Sequence, residues 1–145
     1  MAALRIIIDT NILIGSAMDE DSAEARLIRL VLAGYLKPLI TNRIRRENTK
    51  IIRRKFRNED PEARKTLERV FLEAEEVQQK SNLRGITEDR DDDKFIEAAV
   101  DGDADYIITN DHHLLDLHNI EGTEILTARD FLQAYFDINP NLKNI

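Results

Sequence analysis

The stretch Leu4-Arg5-Ile6-Ile7-Ile8-Asp9-Thr10-Asn11-Ile12-Leu13 decides the fold class. Three consecutive isoleucines between two charged residues mark a short strand buried on both faces. Such a strand needs a packed layer on each side. Asp9 follows it directly, and a helix is expected over residues 11–18. Near the other end the pattern recurs, with a strand over 105–109 and Asp111 just beyond it. Pro38-Leu39-Ile40 and residues 124–126 supply two further short strands. Between them lie helical patterns. Residues 25–35 carry Leu27, Ile28, Val31 and Leu32 at helical spacing, after Asp21 and Glu24 placed as a capping box. Thr41 or Asn42 can cap a basic helix over 43–57. Asp60-Pro61 opens another helix, whose Leu67, Val70, Phe71 and Ala74 form a buried face. Residues 92–100 and a segment from Thr127 to about Phe136 complete the set, while 76–91 are polar and carry no clear period. Alternating strands and helices predict a three-layer α/β/α sandwich on a parallel sheet. The expectation is one domain with a core over about 5–132 and a loose tail after Pro140.

The composition suits a globular chain of 145 residues, 42% hydrophobic and 34% charged. Cysteine is absent, which excludes disulfides, a thiolate zinc site and a thiol nucleophile. No apolar run approaches the roughly 20 residues that span a bilayer. The N-terminus reads straight into a strand rather than a secretory signal, so no membrane partner and a cytoplasmic location are expected. Net charge is −7, yet the window 43–57 holds eight basic residues against one acid, Glu47. A helix of charge +7 on an acidic body can hold a phosphate backbone locally, although such runs often only solvate a surface.

In open α/β folds ligands bind beyond the carboxyl ends of the strands, where Asp9 and Asp111 both fall. Glu47 lies three residues after Ile44 and four before Ile51, on an apolar face of the basic helix. Asp92 precedes Phe95, Ile96 and Ala99 at three, four and seven residues. Each acid has a structural alternative: a helix cap at Asp9, an N-cap at Asp92 with Asp91 and Asp93 as rivals, a salt bridge at Glu47, a turn at Asp111. Together, with no basic residue expected on the same stripes, they point to a cation that compensates several carboxylates at once. Hard oxygen donors suit Mg²⁺ or Mn²⁺, which can polarise a phosphodiester and acidify water. Thr10, Asn11 and Thr109 are candidates to orient the carboxylates, or else cap and turn residues. Arg43, Arg46 and Lys50 are the candidates to grip flanking phosphates.

Other chemistries lack their motifs. The first strand is not followed by Gly-x-Gly-x-x-Gly, and neither a phosphate loop nor a Gly-x-Ser-x-Gly elbow occurs. His112, His113 and His118 sit in one loop and read as surface residues, which argues against a two-histidine ribonuclease.

Ile6-Ile7-Ile8-Asp9-Thr10-Asn11-Ile12-Leu13 resembles the opening signature of PIN domains. Glu47 stands where that family carries a helical Glu, and Asp89 to Ala99 resembles its third motif in a register that selects Asp92. Ala104 to Asp111, followed by Leu114-Leu115, resembles its last motif, and residues 125–132 fit its ending. The resemblance implies catalytic and metal-holding roles for Asp9, Glu47, Asp92 and Asp111, with Mg²⁺ or Mn²⁺ as cofactor and RNA as substrate. It also implies an endoribonuclease akin to the VapC-type toxins of toxin–antitoxin pairs, often homodimeric and silenced by an antitoxin protein. The alternative is a PIN-like module that binds RNA or protein without catalysis.

Overall fold

A computed structural model of the chain describes residues 2–56, 60–81 and 90–145. Its elements run β1 (Leu4–Ile8), α1 (Thr10–Met18), α2 (Ala23–Leu32), β2 (Leu36–Ile40), α3 (Asn42–Lys55) and α4 (Pro61–Glu73). They continue through β3 (Glu75–Glu76), α5 (Asp93–Gly102), β4 (Tyr106–Ile108), α6 (His112–Leu115), β5 (Asn119–Ile120), β6 (Thr123–Leu126) and α7 (Ala128–Ile138). The strands form one sheet in the order β3-β2-β1-β4-β6-β5, parallel except where β5 meets β6. The expected α/β sandwich is therefore present. The strands β3 and β5 are additions to the sequence reading; β3 falls at the start of the stretch without period.

The isoleucine run shows why the sheet is covered twice. Ile6 and Ile8 pack into a core with α1, α2, α4 and α7, whereas Ile7 packs with Phe95, Ile96 and Ile107 beneath α5. Side chains alternate across a strand, so three consecutive apolar residues serve both layers. Helix α3 takes part in both cores. Ile44 belongs to the α5 side, Ile52 and Phe56 to the other, so the basic helix crosses the carboxyl edge of the sheet.

Local capping explains the helix starts. Thr41 accepts from the Ile44 N–H at 3.2 Å, and Asp60 accepts from the Ala63 N–H at 3.0 Å with Pro61 in the first turn. The second helix is capped by Ser22, whose hydroxyl accepts from the Ala25 N–H at 3.0 Å, rather than by the expected Asp21. Of the face proposed for α4, Leu67 and Val70 are buried, while Phe71 and Ala74 are only partly covered. Beyond α7, the tail expected to lie loose forms a 3-10 turn over Pro140–Leu142. Leu142 packs against the core and Arg26 donates to the Lys143 carbonyl at 2.6 Å. The predicted basic helix extended to Arg57, which lies outside the described residues.

Gly102 closes α5 against the sheet. A Cβ there would lie 2.9 Å from both Leu39 Cδ1 and Val77 Cγ2, and its carbonyl accepts from the Arg5 guanidinium at 2.8 Å. Arg5 also makes a two-pronged bond to Glu75, at 2.8 and 2.7 Å, and so ties β1 to β3 across β2. Gly102→Ala should overpack this contact and cost about 1–3 kcal/mol in urea unfolding. An unchanged midpoint would mean that Leu39 and Val77 give way freely.

Candidate active site

The pairing of β1 with β4 sets Ile8 beside Ile108, and the Asp9 N–H extends the ladder to the Ile108 carbonyl at 3.0 Å. Asp9 and Thr109 thus leave the sheet side by side at its carboxyl edge. The Thr109 hydroxyl, fully buried, donates to Asp9 Oδ2 at 2.6 Å and accepts from the Asp111 N–H at 3.0 Å. One hydroxyl therefore links two of the predicted acids. Asp9 is 5% exposed and its Oδ1 accepts from the Asn11 N–H at 3.4 Å; Asp111 Oδ1 accepts from the His113 N–H at 2.9 Å. Both acids cap the helices after them, so the capping alternatives hold alongside the site role.

Asp92 arrives from the α5 side, at the end of a 3-10 turn over Arg90–Asp92. It occupies the cap position of α5 but makes no side-chain capping bond; instead its carboxyl and that of Asp111 hydrogen-bond to each other. At 8% exposure it is nearly as buried as Asp9. Three of the four predicted acids are thus in one cluster. Burial pushes Asp9 above the ordinary carboxylate range, with the Asp111 charge adding to it, against the lowering effect of the Thr109 and Asn11 bonds and of Lys94. Burial also pushes Asp111 up, but the bonds from His113 and Asp92 and the adjacent imidazoles outweigh it and leave Asp111 below that range.

Glu47 differs from the expectation. The inward face of α3 carries Ile44, Asn48 and Ile52, which leaves Glu47 on the rim with its side chain 38% exposed. The phase slips because α3 meets two cores in succession rather than one stripe. Asn48 accepts from the Thr10 hydroxyl instead, in a buried bond between α1 and α3. The Glu47 carboxylate pairs with the Lys94 ammonium at 2.5 Å. That lysine overturns the expectation that no basic residue shares the inward faces: it is 3% exposed, with its ammonium 4.9 Å from the Phe95 ring centre.

Sequence reasoning missed other groups as well. Helix α5 is buried over every residue from Asp93 to Ala99, so an acid placed by stripe alone is ambiguous there. Asp93 is buried too, as is Glu97, which accepts from the Gln79 amide at 2.6 Å and faces the Arg43 guanidinium at 3.8 Å. Of the three residues expected to orient carboxylates, Thr109 bonds Asp9, the buried Thr10 hydroxyl donates to Asn48 rather than to an acid, and the Asn11 side chain is exposed with only its backbone touching Asp9. Two of the histidines read as surface residues stand next to the cluster: donor atoms of Asp111, His112 and His113 lie within 4.8 Å of one another. Glu47 opens onto a hollow of about 540 Å³ lined by Asn42, Arg43, Arg46, Lys50 and Gln79. All three predicted phosphate-gripping residues therefore line one hollow together with Glu47.

The donors suit a hard divalent cation. Asp9, Asp92 and Asp111 offer only carboxylate oxygens at one sheet edge, the donors that Mg²⁺ and Mn²⁺ prefer. The sequence model of the PIN domain family matches residues 5–113. The chain belongs to that family, whose members are typically metal-dependent nucleases that bind divalent ions. No curated protein matched the chain. Among the described residues, no helix is long and apolar enough to cross a membrane.

Asp9→Asn tests the electrostatics of the metal-free site. An acid whose folded pKa is raised costs stability as pH climbs past its unfolded value, and the cost is complete above the folded one. The asparagine keeps an acceptor for Thr109 and carries no charge. Its melting temperature should therefore exceed the wild type's near neutral pH in EDTA, and the gain should fade on acidification toward pH 4. A lower melting temperature at neutral pH would make the cap the dominant role of Asp9.

Proposed function

We propose that the chain is an endoribonuclease that hydrolyses RNA phosphodiester bonds with Mg²⁺ or Mn²⁺. The observation that carries this reading is the meeting of Asp9, Asp92 and Asp111 at one sheet edge. Asp9, Asp92 and Asp111 would hold the ion. What such an ion supplies when bound is polarisation of a phosphoryl oxygen and a lower pKa for water.

The protein's own groups do the rest. Thr109 fixes Asp9 and the Asp111 backbone together, so these carboxylates need little reorganisation. Arg46 and Lys50 on α3 face the hollow and grip phosphates flanking the scissile bond, with Arg43 shared between that task and Glu97. Glu47, on the rim between that hollow and Lys94, completes the site. The extended run Arg45, Arg53 and Arg54 continues the positive surface along the same helix toward Arg64 of α4. Such a surface favours a polyanion longer than a few nucleotides over a small phosphate ester. A toxin role would show in gene context, as an adjacent small reading frame whose DNA-binding product co-purifies with this chain.

Two measurements check the proposal. Products from a defined RNA should carry 5′-phosphate and 3′-hydroxyl ends, and cutting should stop in EDTA. Asp92→Asn should slow it by roughly two orders of magnitude or more while RNA binding survives. Cyclic-phosphate ends, or undiminished cutting by metal-stripped protein, would refute the carboxylate mechanism; absence of cutting with every divalent ion would favour a binding module. Separately, Arg46→Ala with Lys50→Ala should weaken RNA binding and flatten its dependence on salt by about two counterions. An unchanged slope would return α3 to a solvated surface.

A further inference from the structure

Histidine is scarce in this chain, three among 145 residues, yet two of them follow Asp111 directly in the turn that opens α6. The backbone there is fixed from several sides. The Asp111 N–H donates to the buried Thr109 hydroxyl and the His113 N–H donates to Asp111 Oδ1. Leu114, fully buried, anchors the turn in the core that α5 covers. By contrast His112 is exposed, and Asp111 and His113 are half-buried. The two imidazole rings lie 4.1 Å apart with a tilt of 38°. One donor atom from each of the three residues falls within 4.8 Å of the others, and His118 is outside this group. The reading above uses the Asp111 carboxylate and gives the imidazoles no task.

We propose that Asp111, His112 and His113 form a site for a borderline divalent ion of the zinc class, and that an ion held there opposes the hard ion by engaging Asp111. The donors separate the two chemistries. Mg²⁺ takes oxygen ligands, whereas imidazole nitrogen suits Zn²⁺, Ni²⁺ and Cu²⁺. Ligand atoms around Zn²⁺ stand about 3–3.5 Å apart, so donors already within 4.8 Å need only small turns of the rings, which the exposed His112 can make. Two nitrogens and one carboxylate oxygen leave a fourth position for water, the pattern of an open zinc site. The contacts already in place are compatible with an ion. An imidazole can bind metal through one nitrogen while the other donates to the protein, and a carboxylate has lone pairs enough to keep its bonds from His113 and Asp92. The opposition to the hard ion rests on the metal-dependent reading of the acidic cluster; the histidine site does not.

The test reads the imidazoles directly. Zn²⁺ is titrated into untagged, RNA-free protein, and the ring nitrogens are followed by long-range ¹H–¹⁵N NMR. One equivalent should shift His112 and His113 and leave His118 in place, whereas Mg²⁺ should move none of them. His112→Gln, at an exposed position that the fold does not need, should weaken Zn²⁺ binding roughly tenfold or more, and so should His113→Gln. Imidazoles unmoved by Zn²⁺, shifts shared equally by His118, or full affinity in His112→Gln would overturn the site. The opposition is read separately, from Mn²⁺ binding followed by electron paramagnetic resonance. One equivalent of Zn²⁺ should release Mn²⁺ from the wild type and not from the variant carrying both glutamines. Equal release from both proteins would place the competition at the carboxylates alone and overturn the opposition. No Mn²⁺ on the wild type would bring down the metal-dependent reading and the opposition together, while shifts at His112 and His113 would still establish the histidine site.

Discussion

The parallel pairing of β1 with β4 is the constraint on which the site depends. It brings together two segments a hundred residues apart in the chain, and its register sets Asp9 beside Thr109 where the strands end. A shift by one residue would turn every side chain of β1 to the opposite layer and separate the carboxylate from the hydroxyl. The register is protected by burial. Ile6, Ile7 and Ile8 are all inside, in two different cores, so no slipped pairing keeps them covered. The cost of slipping is paid in hydrophobic contact, yet what it preserves is a polar geometry.

That geometry concentrates like charges where water is scarce. The sheet edge holds Asp9, Asp92 and Asp111, and the fold answers them in three ways. Backbone N–H groups at the starts of α1 and α6 point at Asp9 and Asp111, the Thr109 hydroxyl serves one of them, and Lys94 brings a full charge from α5. The opposite displacements of Asp9 and Asp111 follow from this unequal service. Asp9 is the more deeply enclosed, and Asp111 has imidazoles and a second carboxyl beside it. Two acids from equivalent strand ends thus hold their protons differently.

Much of this was legible in the sequence. The isoleucine run, the two strand ends and the Asp60-Pro61 start are short-range signals, because burial on both faces and capping act within a few residues. Their locations followed from pattern, and the acids at the strand ends with them. Three things were not legible for physical reasons. Strands β3 and β5 have two residues each, too few for a period. Helix α3 serves two cores, so its apolar residues do not lie on one stripe and Glu47 was given the inward place that Asn48 occupies. Helix α5 is enclosed along its first turns, so Asp93 and Lys94, off the stripe of Asp92, Phe95, Ile96 and Ala99, are buried as well. Periodicity reports which side of a helix is dry only when the other side is wet.

The sheet ends at both borders on two-residue strands, β3 beyond β2 and β5 beyond β6. A long, straight border would offer unpaired N–H and C=O groups as a template on which a second chain could add itself, the first step toward aggregation. Here each border is brief. On one side it carries two acidic residues, Glu75 and Glu76, with Glu75 held by Arg5. On the other the last strand runs against its neighbour and turns back through Glu121 and Gly122, both with positive φ. A chain that keeps its parallel strands shut away between such borders can accumulate in a crowded cell without recruiting copies of itself into a continuous sheet.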